Sequence, residues 1–400
     1  MTAYAPVARP DTIRRHNLSL LLAQVHRDGA LTRAELTQRL GLSRSTIGAL
    51  VADLSDLQLL SESVPTGGTR AGRPSHVVGP HALGPYVVAV DVDVTHVTIA
   101  TIGIGGTVLT RRDIPASGTA PTPQLVARQV ADVLHSPAAD ISRPGPVAIG
   151  VSVPGTVDRR DGTVGIAPNL GWRDVAFGRM IAEVAPPVPV MIGNDADLAV
   201  FAEHIRGNAR DCDDVIYLMG RVGVGAGIIA NGRALRGRDG HAGEIGHSVM
   251  DASGPRCHCG KNGCLEVFIG EAALLALAGE DGPPTDGRVR AIFDRARVGD
   301  RRTLDAVRHF ADSLGKGLAL LVNTLNPQRF ILGGSFADVL ELAPAEVESA
   351  LAHFSFDLRG EKVELREPAF GSDSALLGAA EIAFADLLAD PVTARALVVT

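Results

Sequence analysis

The sequence predicts an α/β protein in which a winged helix-turn-helix head precedes a two-lobed body. Three observations carry that prediction. The first eighty residues read as helix, turn, helix and a Gly-rich basic tip between two strands, with nine Arg against six Asp and Glu, a net +3. The whole chain carries −7, which leaves −10 on the rest (−7 less +3); a basic head on an acidic body suits a protein whose head alone meets a polyanion. From Tyr86 the pattern changes to short apolar strands with Gly turns, and a strand, Gly-rich turn and strand recur from Asp214. Composition sets limits. Four hundred residues that are 46% hydrophobic can fill two or three cores, which excludes a disordered chain. A charged fraction of 21% with a negative balance excludes a histone-like protein, and 4% aromatics argue against a stacking platform for single-stranded nucleic acid. The N-terminus lacks an apolar signal core and no run is long enough for a membrane span, so a soluble cytoplasmic protein is expected.

In the head, Leu18, Leu21, Leu22 and Val25 recur at helical spacing. Thr32 with Glu35 is the signature of a capping box opening a second short helix, which ends before Gly41. Ile47, Leu50, Val51 and Leu54 mark a third helix, with Ser43, Arg44, Ser45 and Thr46 at its start. Two short helices joined by a Gly-containing turn fit helix-turn-helix geometry, whose second helix sets its N-terminal residues on base edges in the major groove. Arg44, Ser45 and Thr46 are forked or small donors suited to bases and phosphates. An ordinary three-helix bundle with a solvated face shares that spacing. The segment after the third helix separates the two readings: Leu57 to Val64 and Ser75 to Gly79 read as strands around PTGGTRAGRPS, a wing whose Arg70 and Arg73 can enter a narrow minor groove. Residues 1–80 are therefore assigned to a DNA-binding domain, and Gly79 to Pro85 to a hinge.

In the body, YVVAVDVDV, HVTIATI and GTVLTRRDI read as three consecutive strands, followed by a helix from Pro123 to Leu134. VAIGVSV and VPVMIGND are further strands, the second delivering polar residues to the start of an amphipathic helix from Ala196. DVIYLMG and VGAGIIANG form the second glycine-rich hairpin; residues 303–325 form a long helix, QRFILGGS a strand, and Ser374 to Ala385 a terminal helix. Residues 81–195 are assigned to the first lobe and 196–400 to the second, with the terminal helix returning to the first.

The polar residues at strand ends are chemically coherent: Asn169 in APNLGW, Asn194 and Asp195 in GND, Glu244 and His247 in AGEIGH, and Glu266 in GCLE. Amides and carboxylates grouped in this way suit the adjacent hydroxyls of a sugar. Asp195 could take a proton from a hydroxyl attacking a phosphate. Each also has a plainer role, Asn194 and Asp195 as a helix N-cap, His247 as a metal ligand alone, and Glu266 as a surface charge. His247, Cys257, Cys259 and Cys264 give H-x9-C-x-C-x4-C, three thiolates and one imidazole for a closed, structural Zn2+ site. His258, between two of the Cys, is an alternative ligand by type and is read as a spacer. Such a metal would fix both His247 and Glu266 through the loop between them.

Together AGEIGH, CHCGKNGCLE, APNLGW, GND and ILGG, behind a winged helix and GRP, resemble the ROK family (repressors, open reading frames and kinases), in its transcriptional-regulator branch, over about residues 10–390. The resemblance implies a two-lobed actin-like ATPase fold of the sugar kinase and hsp70 type, and dimers or tetramers. It implies a sugar site of Asn169, Asn194, Asp195, Glu244, His247 and Glu266, zinc on His247, Cys257, Cys259 and Cys264, and Asp195 at the position of the family kinases' catalytic base. The first phosphate hairpin of those kinases reads D-x-G-x-T; here it is Asp91-Val92-Asp93-Val94-Thr95, with a carboxylate where backbone N–H groups must approach phosphate. The second, usually G-T-G-x-G-x-G, has Arg221 and Val222 in place of the first Gly and the Thr.

The expected function is a sugar-responsive DNA-binding regulator, a repressor of carbohydrate uptake or catabolism genes, whose kinase-like domain senses a sugar or sugar phosphate without using ATP. The expected partners are double-stranded operator DNA and a second copy of the chain, as a homodimer or homotetramer. The rivals are an ATP-dependent sugar kinase that also binds DNA, which Asp195 supports and Asp93 and Arg221 oppose, and an interaction module with a vestigial pocket.

Overall fold

The computed structural model describes residues 10–64, 76–116, 118–135, 145–238, 240–356, 360 and 362–396. The head comprises α1 (Pro10–Asp28), β1 (Leu31–Thr32), α2 (Arg33–Leu40), α3 (Arg44–Asp56), β2 (Leu60–Ser63) and β3 (Val77–Pro80). The capping box is formed: Thr32 Oγ1 accepts from the Glu35 N–H at 3.2 Å, and the Glu35 carboxylate accepts from the Thr32 N–H at 2.7 Å. Ser43 caps α3 by accepting from the Thr46 N–H at 3.1 Å. The predicted stripes of α1 and α3, Leu18 to Val25 and Ile47 to Leu54, are no more than 3% exposed. β3 pairs antiparallel with β2 on one side and β1 on the other. Two residues are too few for a period-2 pattern, so β1 left no trace in the sequence.

The first lobe contains β4 (Tyr86–Val92), β5 (His96–Gly103), β6 (Val108–Pro115), α4 (Pro123–Leu134), β7 (Ile149–Val153), β8 (Val157–Asp158), β9 (Thr163–Ala167), β10 (Trp172–Val175), α5 (Phe177–Val184) and β11 (Val190–Asn194). α6 (Asp195–Ile205) leads to β12 (Val215–Gly220), β13 (Val224–Ala230) and β14 (Arg233–Ala234). Then come α7 (Glu266–Ile269), α8 (Glu271–Leu277), α9 (Asp286–Arg297), α10 (Arg301–Leu325), β15 (Arg329–Gly334), α11 (Ser335–Leu342), α12 (Pro344–Phe354), β16 (Glu364–Arg366), α13 (Ser374–Ala389) and α14 (Pro391–Ala396).

The two main sheets repeat one plan. The first runs β11-β7-β4-β5-β6 and the second, from its other edge, β16-β15-β12-β13-β14. In each, three consecutive antiparallel strands are extended by two parallel ones. β8, β9 and β10 make a separate small sheet. α13 returns to the first lobe and packs on β4, β7 and α6.

The head is not a separate bead. One hydrophobic cluster runs from Leu18, Leu22 and Leu54 through Val87, Ala89 and Ala100 to Leu376, Ala380 and Phe384. The connection read as a hinge is a tied turn: the His81 N–H donates to the Leu59 carbonyl at 3.0 Å and the Gly84 N–H to the His81 carbonyl at 2.9 Å. Moving the head therefore means shifting a packed interface, not only bending a linker.

Candidate functional site

The N-terminus of α3 is presented to solvent. Arg44 and Ser45 are exposed and Thr46 is half-buried. The Ser43 hydroxyl lies 2.9 Å from Ser45 Oγ and 2.8 Å from Thr46 Oγ1, a hydroxyl cluster ordered by the cap. Arg44 is exposed and has no ion-pair partner among the described residues. Arg70 and Arg73 lie outside the described residues.

In the body, the turn between β4 and β5 faces the Gly-rich turn between β12 and β13. Asp93 follows β4 and Arg221 follows β12, and Arg221 Nη1 donates to Asp93 Oδ2 across the lobes. Asp93 is further held by the Thr95 N–H at 2.9 Å and the Thr95 hydroxyl at 2.8 Å. Thr95 Oγ1 also reaches Asp286 Oδ2 of α9 at 3.3 Å, a second bridge between lobes. Burial alone would raise Asp93, yet Arg221 and the Thr95 donors hold its carboxyl below the usual range. Burial opposes the charge on Arg221, and Asp93, Asp91 and Asp195 outweigh it.

Asp195 opens α6 beside this pair, with its Oδ1 2.8 Å from the Ala196 N–H. Burial, with the charge of Asp91 adding to it, pushes Asp195 up to about 7 against the pull of the Ala196 N–H and Arg221. Asn194 is the N-cap: its Oδ1 accepts from the Ala196 and Asp197 N–H groups at 2.9 and 3.1 Å, and its amide donates to the Gly155 carbonyl at 3.0 Å. Asn169 and Glu266 come from opposite lobes to the same hairpin tip: a methyl on Gly223 would stand 3.0 Å from Glu266 Oε2 and 3.4 Å from Asn169 Nδ2. Glu266 also accepts from the Val224 N–H at 3.1 Å. Glu244 is exposed, and its charge helps raise Asp197, which burial pushes to about 6.

His247, Cys257, Cys259 and Cys264 come together, their ligand atoms all within 4.8 Å of one another. Cys259 and Cys264 sulfurs are 3.6 Å apart, and His247 Nδ1 is 3.8 Å from Cys257 Sγ. A tetrahedral ion with metal–sulfur bonds of about 2.3 Å needs sulfurs about 3.8 Å apart, so the donor set fits zinc in type and spacing. His258 is more than a spacer. Its Nδ1 lies 2.9 Å from Glu266 Oε1, so the cysteine loop grips a cleft carboxylate directly. The motif marked His258 but not its bond to Glu266; Asp197 and Glu271, the last raised by burial to about 7, carry no local pattern.

These features define a class: a DNA-binding head of helix-turn-helix type on a two-lobed, actin-like body of the sugar-kinase kind, with a cysteine-rich loop at its cleft. The ROK family model matches residues 87–385, and the chain belongs to the ROK family. It is 28% identical over 378 residues to the xylose repressor of Bacillus spizizenii, covering 94% of this chain and 97% of that one. A ROK-family transcriptional regulator homologous to the E. coli MLC protein superposes with a TM-score of 0.73 at 24% identity, over 97% of this chain and 98% of that one. A ROK glucokinase from Streptomyces griseus, solved with glucose and AMPPNP, superposes with a TM-score of 0.64 at 27% identity, over 74% of this chain and 99% of its own. Among the described residues no helix is long and apolar enough to cross a membrane.

Proposed function

We propose that this chain is a sugar-responsive transcriptional repressor of carbohydrate uptake or catabolism genes, acting in the cytoplasm as a homodimer or homotetramer on double-stranded operator DNA. Arg44, Ser45 and Thr46 read the major groove, and Arg70 and Arg73 the minor groove. The sugar sits in the cleft between Asn169, Asn194, Asp195, Glu244, His247 and Glu266. A Zn2+ on His247, Cys257, Cys259 and Cys264 has no open position and serves structure; the loop it holds orients Glu266 through His258.

The Asp93–Arg221 pair carries the reading that the body is a sensor and not a kinase. The two hairpins that would hold nucleotide phosphates hold each other instead. A carboxylate there repels phosphate, and the guanidinium that could attract it is already engaged. The rival, a DNA-binding sugar kinase, draws support from Asp195, which at about 7 suits a general base. A coupled assay for ADP release with ATP and a panel of hexoses separates them. The sensor reading expects background rates; turnover in the ordinary kinase range of about 1–100 s⁻¹ overturns it.

A further inference from the structure

We propose that α6 is a rigid relay between the cleft and the DNA-binding head, and that Arg206, its C-cap, is the positioning residue through which the head reads the cleft. The inference rests on the proposed function and names the route by which that function operates.

The two ends of α6 lie in two different sites. Its N-terminus is Asn194 and Asp195, at the cleft, and its C-cap is Arg206. Eleven residues at 1.5 Å each separate them by about 16 Å. Arg206 enters a buried polar junction with the head. His26 of α1 is 1% exposed and Glu381 of α13 is 4% exposed. His26 Nδ1 accepts from the Gly105 N–H at 3.1 Å, so the ring proton sits on Nε2 and is donated to Glu381 Oε2 at 3.0 Å. Arg206 Nε donates to the other oxygen, Glu381 Oε1. Arg206 and His26 thus donate to the two oxygens of one carboxylate. That carboxylate joins the head, α13 and the end of α6. Four residues on, Arg210 pairs with Asp28 at the end of α1, and Asp28 also pairs with Arg39 of α2.

α6 cannot absorb motion by bending, because its neighbours touch its backbone. A methyl on Gly378 of α13 would stand 1.9 Å from the Leu198 carbonyl oxygen, and one on Gly227 of β13 would stand 2.1 Å from the Ala196 carbonyl oxygen. Glu203, fully buried in α6, accepts from the Asn208, Ala369 and Phe370 N–H groups and the Ser374 hydroxyl. The helix packs closely on α13 of the first lobe and on β13 of the second, so a change in their angle shifts α6 against at least one of them and carries Arg206 at its end. Breaking any one of these few directional, desolvated bonds leaves a buried polar group unpaired, so the junction shifts as a set rather than by degrees.

The test is a thermodynamic cycle on the full chain. Affinity for a duplex from upstream of its own gene is measured with and without an aldopentose, a hexose and an N-acetylhexosamine, in wild type, Arg206→Lys, Arg206→Met and Arg210→Ala. Sugar affinity without DNA is measured in parallel. Wild type is expected to show a sugar-induced change in DNA affinity of about 5–150-fold. Arg206→Met should bring that ratio to within about twofold of one, with sugar affinity kept and Arg206→Lys restoring part of the coupling. Arg210 is surface-exposed, so Arg210→Ala tests the relay without disturbing the core; it should reduce the ratio. Coupling unchanged in all three variants overturns the relay and leaves the proposed function standing. A wild type whose DNA affinity none of the sugars moves overturns both.

Discussion

Replacing Asp195 by Asn should abolish a pH dependence of sugar binding that the wild type shows. The Asp195 carboxyl titrates near 7 because burial and Asp91 disfavour its charge. A sugar hydroxyl donates more strongly to a carboxylate than to a neutral acid, so the ligand favours the ionised form and affinity rises with pH. From pH 8 to pH 5.5 the ionised fraction of a group titrating at about 7 falls roughly thirtyfold, which is the limiting loss of affinity if only the carboxylate binds. Glu271 titrates in the same range, so the substitution is needed to assign the effect. Isothermal calorimetry across this interval, with the sugar that binds most tightly, should give a rising profile for wild type and a flat one for Asp195→Asn. The sign for stability is the reverse. The folded carboxyl holds its proton more tightly than the unfolded one at 3.8, which favours the native state at low pH, and this advantage is lost as pH rises from about 4 through about 7. Asp195→Asn should therefore raise Tm at pH 8 and leave it nearly unchanged at pH 4. A flat wild-type binding profile, or the same slope in the variant, would refute the reasoning.

Arg44→Ala should weaken operator binding by about 5–150-fold, as expected for loss of a bidentate base contact, with sugar affinity unchanged; equal loss of both in anisotropy and calorimetry would mean misfolding instead. Cys259→Ser should release zinc, measured by metal analysis, and impair sugar response through the His258–Glu266 contact; full response after metal loss would break that link. Asp93→Gly combined with Arg221→Gly and Val222→Thr should open the hairpins to phosphate, so that a non-hydrolysable ATP analogue raises Tm in the variant and not in wild type; a stabilised wild type would contradict the sensor reading.

Local signals were readable where residues close in sequence make the structure. The Thr32–Glu35 cap and the α1 and α3 stripes depend on spacings of three or four residues, and the His247-to-Cys264 cluster lies within one loop. The strands were readable because apolar runs between Gly turns are distinctive. Features built by distant residues were not. His26 is a lone histidine beside Val25 in the sequence, and its partner Glu381 is 355 residues away. Arg206 and Gly105 join it only in the folded chain. The small sheet of β8, β9 and β10 has strands of two to five residues, too short for periodicity. The Asp93–Arg221 pair was half readable: both residues broke a pattern, but only the fold shows that each departure answers the other.

The most direct test is fluorescence anisotropy of a labelled duplex from upstream of the chain's own gene, titrated with purified full-length protein with and without the sugar panel. The account predicts tight, salt-sensitive binding that one sugar shifts at least about fivefold. Binding no tighter than to unrelated DNA, or tight binding that no sugar alters, would contradict it.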